Sequence, residues 1–213
     1  MKLNRRYIAH FLLASLTFIS LFAAPVARAA DEAPDEMIRR LSTDVLSNIK
    51  ADKDVQKGDV SKITSFVDSK VMPNVNFTRM TASAVGRNWR QATPEQQKRL
   101  QDEFKNMLVR TYSGALSQVK DQTVSVKPLR AGAADTEVIV RTEVIGRGDP
   151  VQLDYRMEKT TSGWKIYDFN VLGVWMVETY RTQFAQEISA HGIDGLIATL
   201  VQRNKSGSAE KKS

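Results

Sequence analysis

Val151-Gln152-Leu153-Asp154-Tyr155-Arg156-Met157-Glu158 alternates apolar and polar side chains without a fault. A period of two is that of a β-strand, because successive side chains leave opposite faces of the pleat. Val151, Leu153, Tyr155 and Met157 fall on one face, as expected for an antiparallel sheet with one face buried and the other wet. The flanking sequence repeats the pattern. Val124 and Val126 alternate with Ser125 and Lys127, and Val138, Val140, Thr142 and Val144 alternate with Glu137, Arg141 and Glu143. Gly146-Arg147-Gly148-Asp149 and Thr161-Ser162-Gly163 have the length and residues of hairpin turns. A fourth strand is predicted from Trp164 to Val171 and ends at Gly173. Strict alternation there sets Asp168 with Trp164 and Ile166, and puts Tyr167 and Phe169 opposite.

Upstream of the strands the period is helical. Met37, Leu41, Val45, Leu46 and Ile49 form one stripe over 35–51, and Ile63, Phe66, Val67 and Val71 form another over 59–72 that Pro73 stops. A short helix follows Asn76, an N-cap residue type. The plainest start is Thr93-Pro94-Glu95-Gln96, with Thr as N-cap, Pro at the first helical position and Gln completing a capping box. From there Leu100, Phe104, Met107, Leu108, Tyr112, Ala115, Leu116 and Val119 keep one face apolar for about seven turns. After the strands, a helix is predicted from near Val174 with Val177, Tyr180, Phe184 and Ile188 in line, and a last one after Gly192 with Ile193, Leu196, Ile197 and Leu200. Helices, then strands, then helices indicate a single α+β domain with helices on one face of a curved antiparallel sheet.

The 213 residues carry 31 Lys plus Arg against 24 Asp plus Glu, a formal charge of +7. Such an excess would ordinarily direct attention to nucleic acid or an anionic membrane. Its location removes that inference. Residues 1–29 have a basic start, a 14-residue apolar run from Phe11 to Ala24, and small residues at Ala27 and Ala29. These are the parts of a secretory signal peptide cut before Ala30, and the run is short of the roughly 20 residues a membrane span needs. The leader holds four basic residues, and the apolar-poor tail 203–213, read as disordered, holds four basic and one acidic. Residues 30–202, the expected domain, are left with 23 of each sign, so no nucleic acid is expected as a partner.

Reactive groups are few. There is no Cys, hence no disulfide, thiolate metal site or cysteine nucleophile. His191 is the only histidine after the leader, too few for an imidazole metal site, and its place beside Gly192 suits a cation at a helix end. Gly146 and Gly148 sit in a hairpin, where they make no phosphate loop. The best carboxylate is Asp168, a general base if it lies in an apolar cavity and a structural hydrogen-bonded group otherwise. Large side chains are plentiful on elements that such a fold brings together: Phe77, Met80 and Trp89; Phe104, Met107, Tyr112 and Leu116; Leu153, Tyr155, Met157 and Tyr167; Trp175, Met176, Tyr180 and Phe184. They either fill a solid core or line a concavity.

Several segments resemble the MlaC (Ttg toluene-tolerance) family of periplasmic phospholipid-binding proteins. They are Asn76-Phe77-Thr78-Arg79-Met80, Trp89-Arg90, Ala92-Thr93-Pro94-Glu95-Gln96 and Thr111-Tyr112 in the helical half. Trp164-Lys165-Ile166-Tyr167-Asp168, Gly173-Val174, Tyr180-Arg181-Thr182-Gln183-Phe184 and Gly192-Ile193-Asp194-Gly195-Leu196 continue the series in order. The resemblance implies a nuclear-transport-factor-like cone with a deep apolar cavity for acyl chains. The same large side chains except Met176 would line it, with Leu108 and Val140 added. It implies a monomeric, non-enzymatic carrier with phospholipid as cargo and no cofactor or metal. Its partners would be an outer-membrane MlaA-porin complex and an inner-membrane MlaFEDB-type ABC transporter with an MCE domain. Asn76 stands where the family pattern expects Asp, and Trp175 where it expects a small polar residue. The rival is an isomerase or dehydratase on the same scaffold with Asp168 as base. On the carrier reading, a charge introduced at Met107 or Tyr112 is expected to block lipid uptake, measured by lipid extraction, while the protein stays folded.

Overall fold

A computed structural model of the chain describes residues 32–132 and 134–209. The predicted leader, its cleavage point and residues 210–213 lie outside the described residues. Among these residues no helix is long and apolar enough to cross a membrane.

The helical half begins with α1 (Pro34–Ala51). A single turn, α2 (Lys53–Gln56), and α3 (Val60–Phe66) are each capped by an Asp side chain, Asp52 and Asp59, that accepts two backbone N–H groups. The predicted 59–72 helix is thus real only to Phe66. It widens to a π turn over Val67–Val71 and tightens to a 3-10 turn over Met72–Asn74, as Pro73 requires. α4 (Phe77–Val85) is capped by Asn76, whose Oδ1 accepts the Arg79 N–H at 3.0 Å. A 3-10 segment, Gly86–Gln91, leads to α5 (Pro94–Ser117). The capping box is present in full: Thr93 accepts the Gln96 N–H, and Gln96 Oε1 accepts the Thr93 N–H at 3.0 Å. The same Gln96 side chain donates through Nε2 to Asp194 at 2.8 Å.

The sheet is an antiparallel meander of five strands in sequence order: β1 (Thr123–Val126), β2 (Glu137–Ile145), β3 (Val151–Thr160), β4 (Gly163–Val171) and β5 (Val174–Trp175). Pairing puts Val138, Val140, Thr142 and Val144 opposite Met157, Tyr155, Leu153 and Val151, as the alternation predicts. β4 departs from it. Its register steps from Arg156–Asp168 to Met157–Ile166 and leaves Tyr167 unopposed, a β-bulge. Alternation reverses across a bulge. Phe169 and Val171 therefore share the inner face with Ile166, while Asp168 and Asn170 turn to the outer face beside Arg156. This corrects the face assigned from strict alternation.

The helix expected near Val174 starts two residues later, after β5. α6 (Met176–Ala209) is long and breaks at Gly192, which has φ 72° and ψ −176°, a backbone conformation essentially confined to glycine. Glu187 spans the break, taking His191 Nδ1 at 2.8 Å on one side and the Thr199 hydroxyl at 3.0 Å on the other. The disordered tail expected from residue 203 is corrected as far as Ala209. Asn204 is buried because its amide donates to the Glu103 carbonyl and carboxylate at 3.0 and 2.8 Å, so the last turns are held on α5.

Gly195 has no room for a side chain: a Cβ there would lie 2.2 Å from His191 Cβ. Gly195→Ala is expected to cost about 2–3 kcal/mol, a fall of about 5–10 °C in Tm by circular dichroism. Gly114, in the last turn of α5 with open space around it, is the control. Gly114→Ala should raise stability by about 1 kcal/mol.

Candidate functional site: an apolar seam between three cores

A domain of this size ordinarily has one contiguous core. Here the buried apolar side chains form three clusters. The first joins α4, α5 and α6 through Met80, Leu100, Phe104, Met107, Leu108, Tyr180 and Phe184. Phe104 is its centre, with ring centroids 5.7, 5.0 and 5.1 Å from those of Phe77, Tyr180 and Phe184. The second joins α1 to the sheet through Met37, Ile38, Leu41, Val138, Val140, Met157 and Ile166. The third, Ile49, Val55, Ile63 and Val109, ties α1–α3 to the back of α5.

Between the clusters lies a seam of half-buried apolar side chains. Tyr112, Leu116 and Val119 come from α5 and its end, Val45 from α1, Phe66 and Val67 from α3 and the turn after it, and Leu153, Tyr155, Phe169 and Val171 from the inner face of the sheet. Burial falls along the strands. On β3 the inner face runs from fully buried Met157 through half-buried Tyr155 and Leu153 to exposed Val151. On β2 it runs from Val140 to half-buried Val144. Burial on the inner face is thus complete where Met37, Ile38 and Leu41 of α1 cover Val138, Val140, Met157 and Ile166, and declines toward Val144 and Val151. The Tyr155 hydroxyl meets Ser42 of α1 and Thr142 of β2, and burial raises its pKa to about 12. It stays neutral and holds α1 on the sheet where full burial begins.

The outer face is polar and occupied. Arg79 of α4 lies 3.6 Å over the Tyr167 ring and bridges Glu158 on β3 and Glu137 on β2, the latter at 2.6 Å. Tyr167 donates to Glu137 at 3.1 Å. Next to this, Arg156 stacks 3.9 Å over Trp175 and reaches Asp168 at 3.0 Å and Glu178 at 3.1 Å. Asp168 is 1% exposed and its Oδ1 accepts the N–H groups of Phe169 and Val177 at 2.9 and 3.0 Å. Its carboxylate fastens the start of α6 to β4 and does not face the seam.

The sequence pattern described as MlaC protein matches residues 39–202. The chain belongs to the MlaC family. It is 25% identical over 177 residues to toluene tolerance protein ttg2D of Pseudomonas putida, covering 83% of this chain and 82% of the relative. It is 23% identical over 192 residues to the intermembrane phospholipid transport system binding protein MlaC of Haemophilus influenzae, covering 88% and 90%. The fold matches the phospholipid-binding protein of Ralstonia solanacearum, solved in complex with a phospholipid, with a TM-score of 0.80 and 48% identity. That match covers 84% of this chain and 99% of the other.

Within this MlaC fold the sixteen candidate side chains separate. Tyr112, Leu116 and Tyr155 are half-buried on the borders of the first, third and second clusters, and Leu153 is half-buried on the inner face across from Val171. Phe77, Met80, Trp89, Phe104, Met107, Leu108, Tyr180 and Phe184 build the helical core, and Val140 and Met157 the core under α1. Tyr167 and Trp175 are on the outer face, carried there by the bulge and by β5. Val45, Phe66, Val67, Val119, Phe169 and Val171, half-buried along the seam, are absent from the sequence-derived candidates, although all but Phe169 and Val171 stood on predicted apolar stripes. The departure at Asn76 has a reason: its Nδ2 donates to Glu158 at 2.7 Å, where an Asp would set carboxylate against carboxylate. Trp175 departs from the family pattern without touching the seam. An open groove of about 840 Å³ lies between Gly86–Gln91 and α6, lined by apolar Val85, Ala185, Ile188 and Ile193 together with Arg87, Gln91 and Arg181.

Two expectations follow. Met107 is packed on all sides, so a charge there should unfold the chain, and the selective block expected from the sequence is transferred to Leu153→Glu. For Asp168, burial raises the carboxyl above its ordinary 3.8, against the pull of the Val177 N–H and Arg156. Folding then favours the protonated group, whose contribution is largest below the unfolded value and declines as pH rises through the folded one. Asp168→Asn should remove that decline from urea-unfolding curves above about pH 4, cost about 1–3 kcal/mol at pH 7 for the lost Arg156 pair, and leave bound lipid unchanged.

Proposed function

We propose that this chain binds phospholipid and carries it through the periplasm, between an outer-membrane MlaA-porin complex and an inner-membrane MlaFEDB-type ABC transporter with an MCE domain, without catalysing a reaction. The observation that carries the reading is the seam: half-buried apolar side chains from α1, α3, α5 and the sheet, bordering three cores that are bridged only by partly buried residues such as Val45 and Val75. A relative at 48% identity holds a phospholipid on the same fold, and another is named for intermembrane phospholipid transport. The leader read from the sequence supports export.

Energetics favour enclosure. A buried methylene is worth about 0.8 kcal/mol, so an acyl chain of about 15 methylenes brings roughly 12 kcal/mol before ordering costs. A carrier must match that to compete with a bilayer, which calls for an apolar enclosure of the chains. The enzyme reading loses its base, since Asp168 is already committed to Arg156 and two backbone amides on the outer face.

Protein isolated from a Gram-negative periplasm should show two-chain phospholipid by native mass spectrometry, at about one per chain. Leu153→Glu should keep the wild-type Tm within about 3 °C and lose most of the lipid. Wild-type protein free of phospholipid, with no uptake from liposomes, would count decisively against the carrier.

A further inference from the structure

The open groove of about 840 Å³ between Gly86–Gln91 and α6 stands away from the seam, and none of the seam side chains lines it. The Tyr112 hydroxyl donates to Met176 Sδ at 2.9 Å, which marks the end of α6 that borders the seam. Ala185 and Gly192, both in the wall of the groove, stand about 14 and 24 Å further along the helix axis at a rise of about 1.5 Å per residue.

The lining has two chemistries. Buried Val85 lies with Ala185, Ile188 and Ile193 on the apolar part, and Arg87 and Arg181 supply two positive charges with no carboxylate among the lining residues. Among the described residues neither guanidinium has an acidic partner. The carboxylates close to the α6 wall in sequence are already taken: Glu178 by Arg156 at 3.1 Å, Glu187 by His191 and Thr199, and Asp194 by Gln96. Arg181 is laid across the groove from α6 to the end of α4, with its Nε 3.5 Å from where a Cβ of Gly86 would stand. Gly86 has φ 66°, so the chain turns there at a residue whose bare Cα leaves room for the guanidinium. The facing wall is fixed in advance. Gln97 Nε2 donates to the carbonyls of Trp89 and Ala92 at 3.0 and 3.3 Å, which holds the 3-10 segment on α5, and a site formed before its ligand arrives loses less to ordering.

Charge and apolar area together select the occupant. An inorganic anion would pair with the guanidinium groups and leave the apolar lining wet, and an uncharged chain would cover that lining and leave the charges unused. Two arginines are too few for the many phosphate contacts that hold a nucleic acid. The volume lies within the roughly 300 to 1,000 Å³ of small-molecule pockets. We propose that the groove is a second ligand site, separate from the seam, for an anionic amphiphile with one alkyl chain. Its carboxylate or phosphate accepts charge-assisted hydrogen bonds from Arg87 and Arg181, and its chain covers Val85, Ala185, Ile188 and Ile193. This site goes beyond the carrier reading and does not depend on it.

The test adds dodecanoate or dodecyl phosphate, each below its critical micelle concentration, to protein that keeps its co-purified phospholipid. Titration calorimetry should show binding at about one per chain, and the tighter of the two assigns the head as carboxylate or phosphate. Acetate, inorganic phosphate and dodecyltrimethylammonium should each bind more weakly by about tenfold or more. Arg87→Gln and Arg181→Gln together should weaken dodecanoate binding about tenfold, with Tm within about 3 °C of wild type and bound phospholipid unchanged. Methyl nuclear magnetic resonance reads the same site without substitution: dodecanoate should shift the Ile188 and Ile193 signals and leave those of Val144 and Val151 in place. Loss of phospholipid on adding dodecanoate, seen by native mass spectrometry, with shifts at Val144 and Val151 instead, would assign the amphiphile to the seam and overturn the proposal. So would inorganic phosphate or dodecyltrimethylammonium binding as tightly as dodecanoate, undiminished binding in the paired arginine variant, or no binding at all. Wild-type protein devoid of phospholipid would sink the carrier reading alone, because the methyl shifts still test the groove.

Discussion

Tyr167 has no residue across from it on β3, and the division of labour between the faces of the sheet follows from that. Without the extra residue, Asp168 and Asn170 would point at the helices, and two buried polar groups would sit on the apolar face. With it, Phe169 and Val171 extend the apolar lining begun by Ile166, and the carboxylate goes to Arg156. A side chain that could have been chemistry becomes a fastening. One inserted residue thus keeps the inner face greasy over the full length of β4.

The outer face repays that arrangement in stiffness. Arg79 and Arg156 each cover an aromatic ring and each bind two carboxylates on different elements. Arg79 joins α4 to β2 and β3, and Arg156 joins β3 to β4 and α6. Charged, bidentate groups are expensive to bury and are placed here where water still reaches part of them. The sheet is held from outside, so it need not be filled from inside to keep its curvature.

Much of this was legible in the sequence, and for local reasons. The capping box at Thr93 and Gln96, the cap at Asn76 and the alternation of β2 and β3 are set by residues within a few positions of one another, and the structure keeps them all. Family membership was legible as well, from scattered short segments in the right order. The misplaced residues share a cause. Tyr167, Asp168 and Trp175 depend on a bulge and a two-residue strand, which alternation counted from Trp164 does not register. The tail from 203 reads as polar and loose, but Asn204 finds its partner 101 positions away on α5. Site and core residues could not be separated, because Met107 and Tyr112 lie on the same helical stripe and differ only in what packs against them.

Gln96 takes part in two structures at once. Its carbonyl oxygen closes the cap of α5, and its amide nitrogen holds Asp194, just past the break in α6. A cap usually serves only its own helix. Here it is also a tether, so that the distal arm of α6 and the first turn of α5 are mechanically one object. Any hinge movement at Gly192 would have to unpick the start of the longest uninterrupted helix in the domain.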